Sequence, residues 1–191
     1  AALITPRTRA IVLVSPNNPG GVEYPAETLA AFRDLARDHG LALIVDETYR
    51  DFDSRPGAPH QLFTDPDWPG TVIQLYSFSK AYRLTGHRVG AVVASQARLA
   101  EVEKFLDTVA ICPNQLGQIG ALWGMRNLTQ WVAGERDEIL ARRRCGERVD
   151  GGSQLREREV LRVLDVGYDE PSRGGSGETE IHITLEDHLT G

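Results

Sequence analysis

The chain has 191 residues, 41% of them hydrophobic, which is enough for one ordinary buried core. Its 21 Lys and Arg stand against 27 Asp and Glu, and the net charge of −6 argues against a nucleic-acid or other polyanion binder. No apolar run approaches the ~20 residues that span a bilayer, and two cysteines make neither a disulfide framework nor a zinc site, as suits a cytoplasmic protein.

The opening AALITPRTRA has neither an initiator Met nor the apolar centre of a signal peptide, so the chain is expected to start inside a larger protein. Residues 9–15 (RAIVLVS) read as a buried strand that runs into the turn-forming PNNPGG. A helix is expected over residues 25–39. Pro25 suits its first turn, Leu29, Phe32, Leu35 and Ala36 share one face, and Gly40 fits a C-terminal cap. Residues 41–45 (LALIV), 71–76 (TVIQLY) and 88–95 (RVGAVVAS) read as three further strands. Leu99, Val102, Phe105, Leu106 and Val109 form the apolar stripe of another helix. From residue 114 to about 144 the pattern is mostly helical, with a break expected near Gly134.

Apolar strands with little alternation are covered on both faces, and strand–helix–strand order implies α/β architecture with a mainly parallel sheet flanked by helices. Composition shifts near Arg144. Residues 1–144 hold 16 basic and 16 acidic residues, whereas 145–191 hold 5 and 11 together with 8 of the 19 glycines. The expected organisation is a neutral body over 1–144 and an acidic, Gly-rich tail over 145–191, either out of register with its ancestor or disordered.

Ligands of such sheets sit beyond the carboxyl ends of the strands, and Asn18, Asp46, Tyr49, Ser77 and Lys80 all follow strand ends. Lys80 is one of only two lysines, the other being Lys104. Lysine, unlike arginine, can lose its proton and form a Schiff base. Set against that role is an ordinary surface lysine. Asp46 is either a cap or ion-pair residue, or an anion for a protonated ring nitrogen. Tyr49 either packs with a wet end or offers its hydroxyl to the same ligand. Asn18 is either a turn former or an amide donor. Ser77, Ser79 and Arg88 suit an anionic group such as phosphate, although a lone arginine is as readily a surface ion pair. Together these groups supply the handles for pyridoxal 5′-phosphate (PLP).

SPNNPGG, VDETYRDF and SFSKAYRLTGHRVG, in that order, resemble the motifs of class I/II aminotransferases of PLP fold type I, over about residues 5–144. The resemblance implies part of a large PLP-binding domain, incomplete here, in a homodimer whose subunits share the active site. It implies that Lys80 carries PLP as a Schiff base and shuttles the substrate proton. Asp46 would pair with the pyridine nitrogen, and Asn18 and Tyr49 with the ring oxygen. Ser77 and Arg88, helped by Ser79, would bind the phosphate. Amino acids and 2-oxo acids are the implied substrates. Another PLP enzyme on this fold, such as a C–S lyase, and an inactive fragment are the alternatives. The family's upstream phosphate loop and stacking aromatic have no counterpart in these residues, and Arg173 does not match the arginine that grips substrate carboxylates.

Overall fold

The computed structural model describes residues 2–149, 160–168 and 181–189. The strand β1 (Thr8–Val14) is followed by the helix α1 (Ala26–Asp38), then by β2 (Ala42–Asp46), β3 (Val72–Ser77) and β4 (Gly90–Val93). Three helices come next: α2 (Gln96–Val109), α3 (Gln115–Asn127) and α4 (Thr129–Val149). Two strands, β5 (Val160–Tyr168) and β6 (Ile181–Leu189), complete the described elements.

The six strands form one sheet in the order β4-β3-β2-β1-β5-β6. Parallel pairing joins β1 to β2 and β2 to β3 at its centre. Antiparallel ladders flank that centre, β3 with β4 on one side and β1 with β5 and β5 with β6 on the other. The α/β class is therefore as expected, but the pairing is mixed rather than mainly parallel. A short excursion through the turn at Thr85–His87 returns β4 antiparallel beside β3, whereas α1 supplies the crossover that a parallel pair needs.

Helix α1 forms where its pattern places it. Leu29 and Ala36 are buried against Ile11, Leu13, Leu43, Val45 and Val72, with Phe32 and Leu35 packed at the margin. Its end is a Schellman motif: Gly40 takes φ +66°, its N–H bonds Arg37 O at 3.1 Å, and Leu41 N–H bonds Ala36 O at 2.8 Å. Pro25 occupies the cap position just before the first turn. Strand alternation puts Leu13, Leu43, Val45 and Val72 on this packed face, all 1% exposed or less. The opposite face, with Val12, Val14, Ile44, Ile73 and Leu75, is only half-buried.

The helical break falls at Leu128, between α3 and α4, and α4 runs through Gly134 without interruption. Asn127 donates its side-chain amide to Trp123 O at 2.7 Å, and Leu128 N–H closes the last turn on Gly124 O, so the helix is completed there. An isolated glycine such as Gly134 only lowers helix stability, and is tolerated. The stripe on α2 has the expected period, but Leu99, Phe105, Leu106 and Val109 are exposed, as are Leu116, Ile119, Leu122 and Trp123 on α3. α4 passes through the expected boundary at Arg144. Residues 150–159, 169–180 and 190–191 of the tail, Arg173 among them, lie outside the described residues.

Gly90 opens β4 opposite Ser77. A Cβ there would stand 2.7 Å from Tyr76 O, a backbone atom that cannot rotate away. Gly90→Ala is expected to destabilise the chain by about 1–3 kcal/mol through strain in the β3–β4 ladder. Chemical denaturation measures this, and an unchanged midpoint would refute it.

Candidate active site

The strand ends deliver the candidate residues from three loops. After β1, Ser15 is buried and its Oγ accepts Tyr24 N–H at 3.1 Å. Asn17 pins the next turn, its N–H on Val22 O and its carbonyl accepting from Gly21 N–H, both at 2.7 Å. Asn18 is thereby held at the surface, where its Nδ2 donates to the Tyr49 hydroxyl at 3.5 Å.

β2 ends on Asp46, which is half-buried. Its Oδ1 accepts Thr48 N–H at 2.9 Å and Thr48 Oγ1–H at 2.7 Å, a local Asx turn. Among the described residues, Asp46 Oδ2 takes no hydrogen bond. A short helical turn over Arg50–Phe52 follows, closed by Phe52 N–H on Tyr49 O at 2.9 Å. The Tyr49 ring lies 5.8 Å from Lys80 Nζ, within reach of a cation–π contact.

β3 ends on Ser77, whose Oγ accepts Ser79 N–H at 3.3 Å and so keeps its own proton for another acceptor. Phe78 is buried between Tyr76 and Tyr82, and packs on Val89 and Ala121. Lys80, two residues further on, is left exposed. Ser79 is buried, and its carbonyl accepts Thr85 Oγ1–H at 2.9 Å. Arg88 is exposed and left-handed at φ +48°, with Nη1 on Thr85 O at 3.1 Å. Beneath this loop α3 presents Gly117, Ala121 and Gly124, all buried. A Cβ on Gly124 would meet Tyr82 Cδ1 at 2.8 Å, so only a bare backbone lets the helix approach.

Register relates the two carboxyl-end groups. Asp46 pairs with Leu75, and Ser77 lies two residues beyond it, so Asp46 and Ser77 share the open face of the sheet. Asn18 and Lys80 each approach Tyr49, one at its hydroxyl and the other over its ring, and Ser77, Ser79 and Arg88 belong to one hydrogen-bonded loop through Thr85. Asp46 reaches the group through the turn to Tyr49 rather than by its own side chain. Thr48 and Thr85 escaped the motif reading. Their signal was spacing, a threonine two residues after Asp46 and another in the loop before Arg88.

Two neighbouring groups carry perturbed acidity. Burial, then the acceptor Asp51, holds the Tyr76 phenol far above its usual range, so it stays a neutral donor to Asp51 Oδ2. A separate cleft of about 220 Å³ opens between residues 50–59 and α4. Its Asp53 is pushed up by burial, but the bonds from Arg55 outweigh that and hold the carboxyl below its usual value.

The profile of the family described as aminotransferase class I and II matches residues 1–145. The chain is 41% identical over 114 residues to the arginine–pyruvate transaminase of Pseudomonas aeruginosa, covering 59% of this chain and 27% of that protein. It is 31% identical over 148 residues to a probable aspartate aminotransferase of Methanocaldococcus jannaschii, covering 73% and 38%. Among solved structures, N-succinyldiaminopimelate aminotransferase from Mycobacterium tuberculosis superposes with a TM-score of 0.70 at 26% identity, over 83% of this chain and 41% of that one. The chain thus spans between about a quarter and two fifths of the length of these relatives.

Proposed function

Because this chain belongs to the class I and II aminotransferase family, we propose that it forms part of the PLP-binding domain of an enzyme that moves an amino group between an amino acid and a 2-oxo acid. The approach of Asn18 and Lys80 to Tyr49 from three loops, beside the strand ends that bear Asp46 and Ser77, carries this reading. The donor set fits PLP: an amine, a carboxylate oxygen that takes no hydrogen bond among the described residues, a phenol and amide in contact, a hydroxyl with a proton to give, and a guanidinium. PLP, when bound, supplies an aldehyde for an amine and a ring that accepts electrons from a substrate carbon.

In this reading Lys80 is the amine that would hold the cofactor, and the same amine, uncharged, would serve as the carrier of the substrate proton. Tyr49, whose ring lies beside Lys80, orients that amine. Asp46 keeps a proton on the ring nitrogen by presenting an anion to it. Asn18 and Tyr49 hydrogen-bond the ring oxygen. Ser77 donates its free hydroxyl proton to the phosphate, Arg88 offers its remaining guanidinium donors, and Ser79 braces Ser77 through its N–H.

We further propose that residues 1–144 are the cofactor-domain part of the chain, supported by the family match ending at residue 145. We also propose a homodimer, supported by the exposed apolar side chains of α2 and α3. No helix among the described residues is long and apolar enough to cross a membrane.

The relatives named as aminotransferases favour transfer over C–S elimination. The decisive experiment supplies PLP, an amino-acid donor and a 2-oxo acid to the chain. A new amino acid derived from the oxo acid is expected. Pyruvate and ammonia from a β-substituted amino acid, with no transfer, would instead identify a lyase, and no product at all would identify a non-catalytic piece.

A further inference from the structure

The packed face of the sheet hides a carboxylate for which the cofactor reading has no task. Glu47 directly follows Asp46 and is 1% exposed, as deep as the core leucines. Successive residues at a strand end point to opposite faces, so Asp46 is presented to the open face and Glu47 to the packed one. A carboxylate so far from water must be paired or hydrogen-bonded.

Glu47 is both. Its Oε1 lies 3.0 Å from His60 Nε2. His60 Nδ1 accepts Leu62 N–H at 3.3 Å, which leaves a ring proton on Nε2, aimed at Glu47. Gln74, buried in β3, donates its amide to Oε2, and the Arg50 guanidinium stands 3.6 Å from the same oxygen. The main chain is tied as well. Glu47 N–H donates to Leu75 O at 2.9 Å, and its carbonyl accepts Arg50 N–H at 3.0 Å.

These partners come from β3, from the turn at residues 60–62 and from the turn that carries Tyr49 toward Lys80. A buried ionic cluster adds little stability over an apolar filling, because desolvation offsets the attraction. It does admit few geometries, since each buried donor must meet its acceptor. Glu47 stands between Asp46 and Tyr49, so both inherit whatever backbone direction it fixes.

We infer that Glu47, clamped by His60 and Gln74, is a positioning residue that sets the chain after β2 so that Asp46 and Tyr49 are presented to the site together. Its service to a cofactor rests on the proposed function, but the positioning itself is measurable without one.

Glu47→Leu stays close in size and leaves the donors of His60 and Gln74 without an acceptor. Hydrogen exchange on the chain without PLP is expected to quicken at least about tenfold at the amides of Thr48, Arg50 and Phe52, while Leu43 and Ile44 keep their rates. The exchanged pair, E47Q with Q74E, keeps an acceptor facing a donor and is expected to retain the slow exchange. Faster exchange along the whole β1–β2–β3 ladder would make Glu47 a general stabiliser and overturn the inference. Unchanged rates beyond Asp46 would overturn it equally. If the rates respond as expected while the wild-type chain gains no lysine-dependent visible band with PLP, the cofactor reading falls and the positioning stands.

Discussion

Replacing Lys80 with alanine is expected to erase the visible band that the chain acquires with PLP, and to lower any amino transfer by on the order of 10²–10⁴-fold, the range for loss of a positioned proton carrier. The side chain is exposed and sits over the Tyr49 ring, so its removal takes away no packed core. The melting temperature should therefore stay close to that of the wild type, and any spectral loss is chemical rather than structural. Lys104 provides the internal control. It is also exposed, and it pairs with Glu101 at 2.6 Å one turn away on α2. Such surface pairs are worth little, so Lys104→Ala is expected to leave both band and stability unchanged. An equal band in wild type and Lys80→Ala would show that PLP reacts with the chain elsewhere, and would remove the basis of the proposed function.

That contrast between two lysines was visible in the sequence only through their surroundings. Lys80 follows a buried strand and lies among Ser77, Ser79 and Arg88, whereas Lys104 lies on a helix among acidic residues. The central strands and α1 were equally legible, because hydrophobic period and cap chemistry are local. Gly40 takes the left-handed conformation that a helix end requires, and Leu41 makes the Schellman bond beside it. What pattern could not supply was the pairing partner. Nothing in GAVV states that β4 runs antiparallel to β3, and nothing in residues 160–168 states that they lie beside β1. Those are long-range choices. The α2 stripe has a similar history. Its period is that of a buried helix, yet period reports only that one face is apolar, not that a partner covers it. At the site, the strand-end residues stood out because each is polar where an apolar run stops. Glu47, His60 and Gln74 did not, because a buried hydrogen-bonded cluster assembled from three segments has no sequence period.

Asp46→Asn is expected to weaken PLP binding by about ten- to a hundredfold, the worth of a hydrogen bond to a charged group, 1.5–3 kcal/mol. The substitution isolates charge from architecture. Both bonds that Asp46 makes locally, from Thr48 N–H and Thr48 Oγ1–H, end on Oδ1, and an asparagine side-chain oxygen accepts them equally well. The Asx turn that leads to Tyr49 therefore survives, and folding stability is expected to change by no more than about 0.5 kcal/mol. What changes is the other position of the carboxylate. An anion there favours a protonated ring nitrogen and raises the pH at which that proton is lost. An amide presents an N–H instead, which favours the unprotonated nitrogen and lowers that pH. The sign is thus fixed: the ring nitrogen stays protonated to higher pH in the wild type than in Asp46→Asn. A pH titration with ring-nitrogen-labelled PLP, followed by NMR, reads the midpoint directly. Identical midpoints in the two proteins would mean that Asp46 does not face the ring, and its role would then be confined to the turn it makes with Thr48.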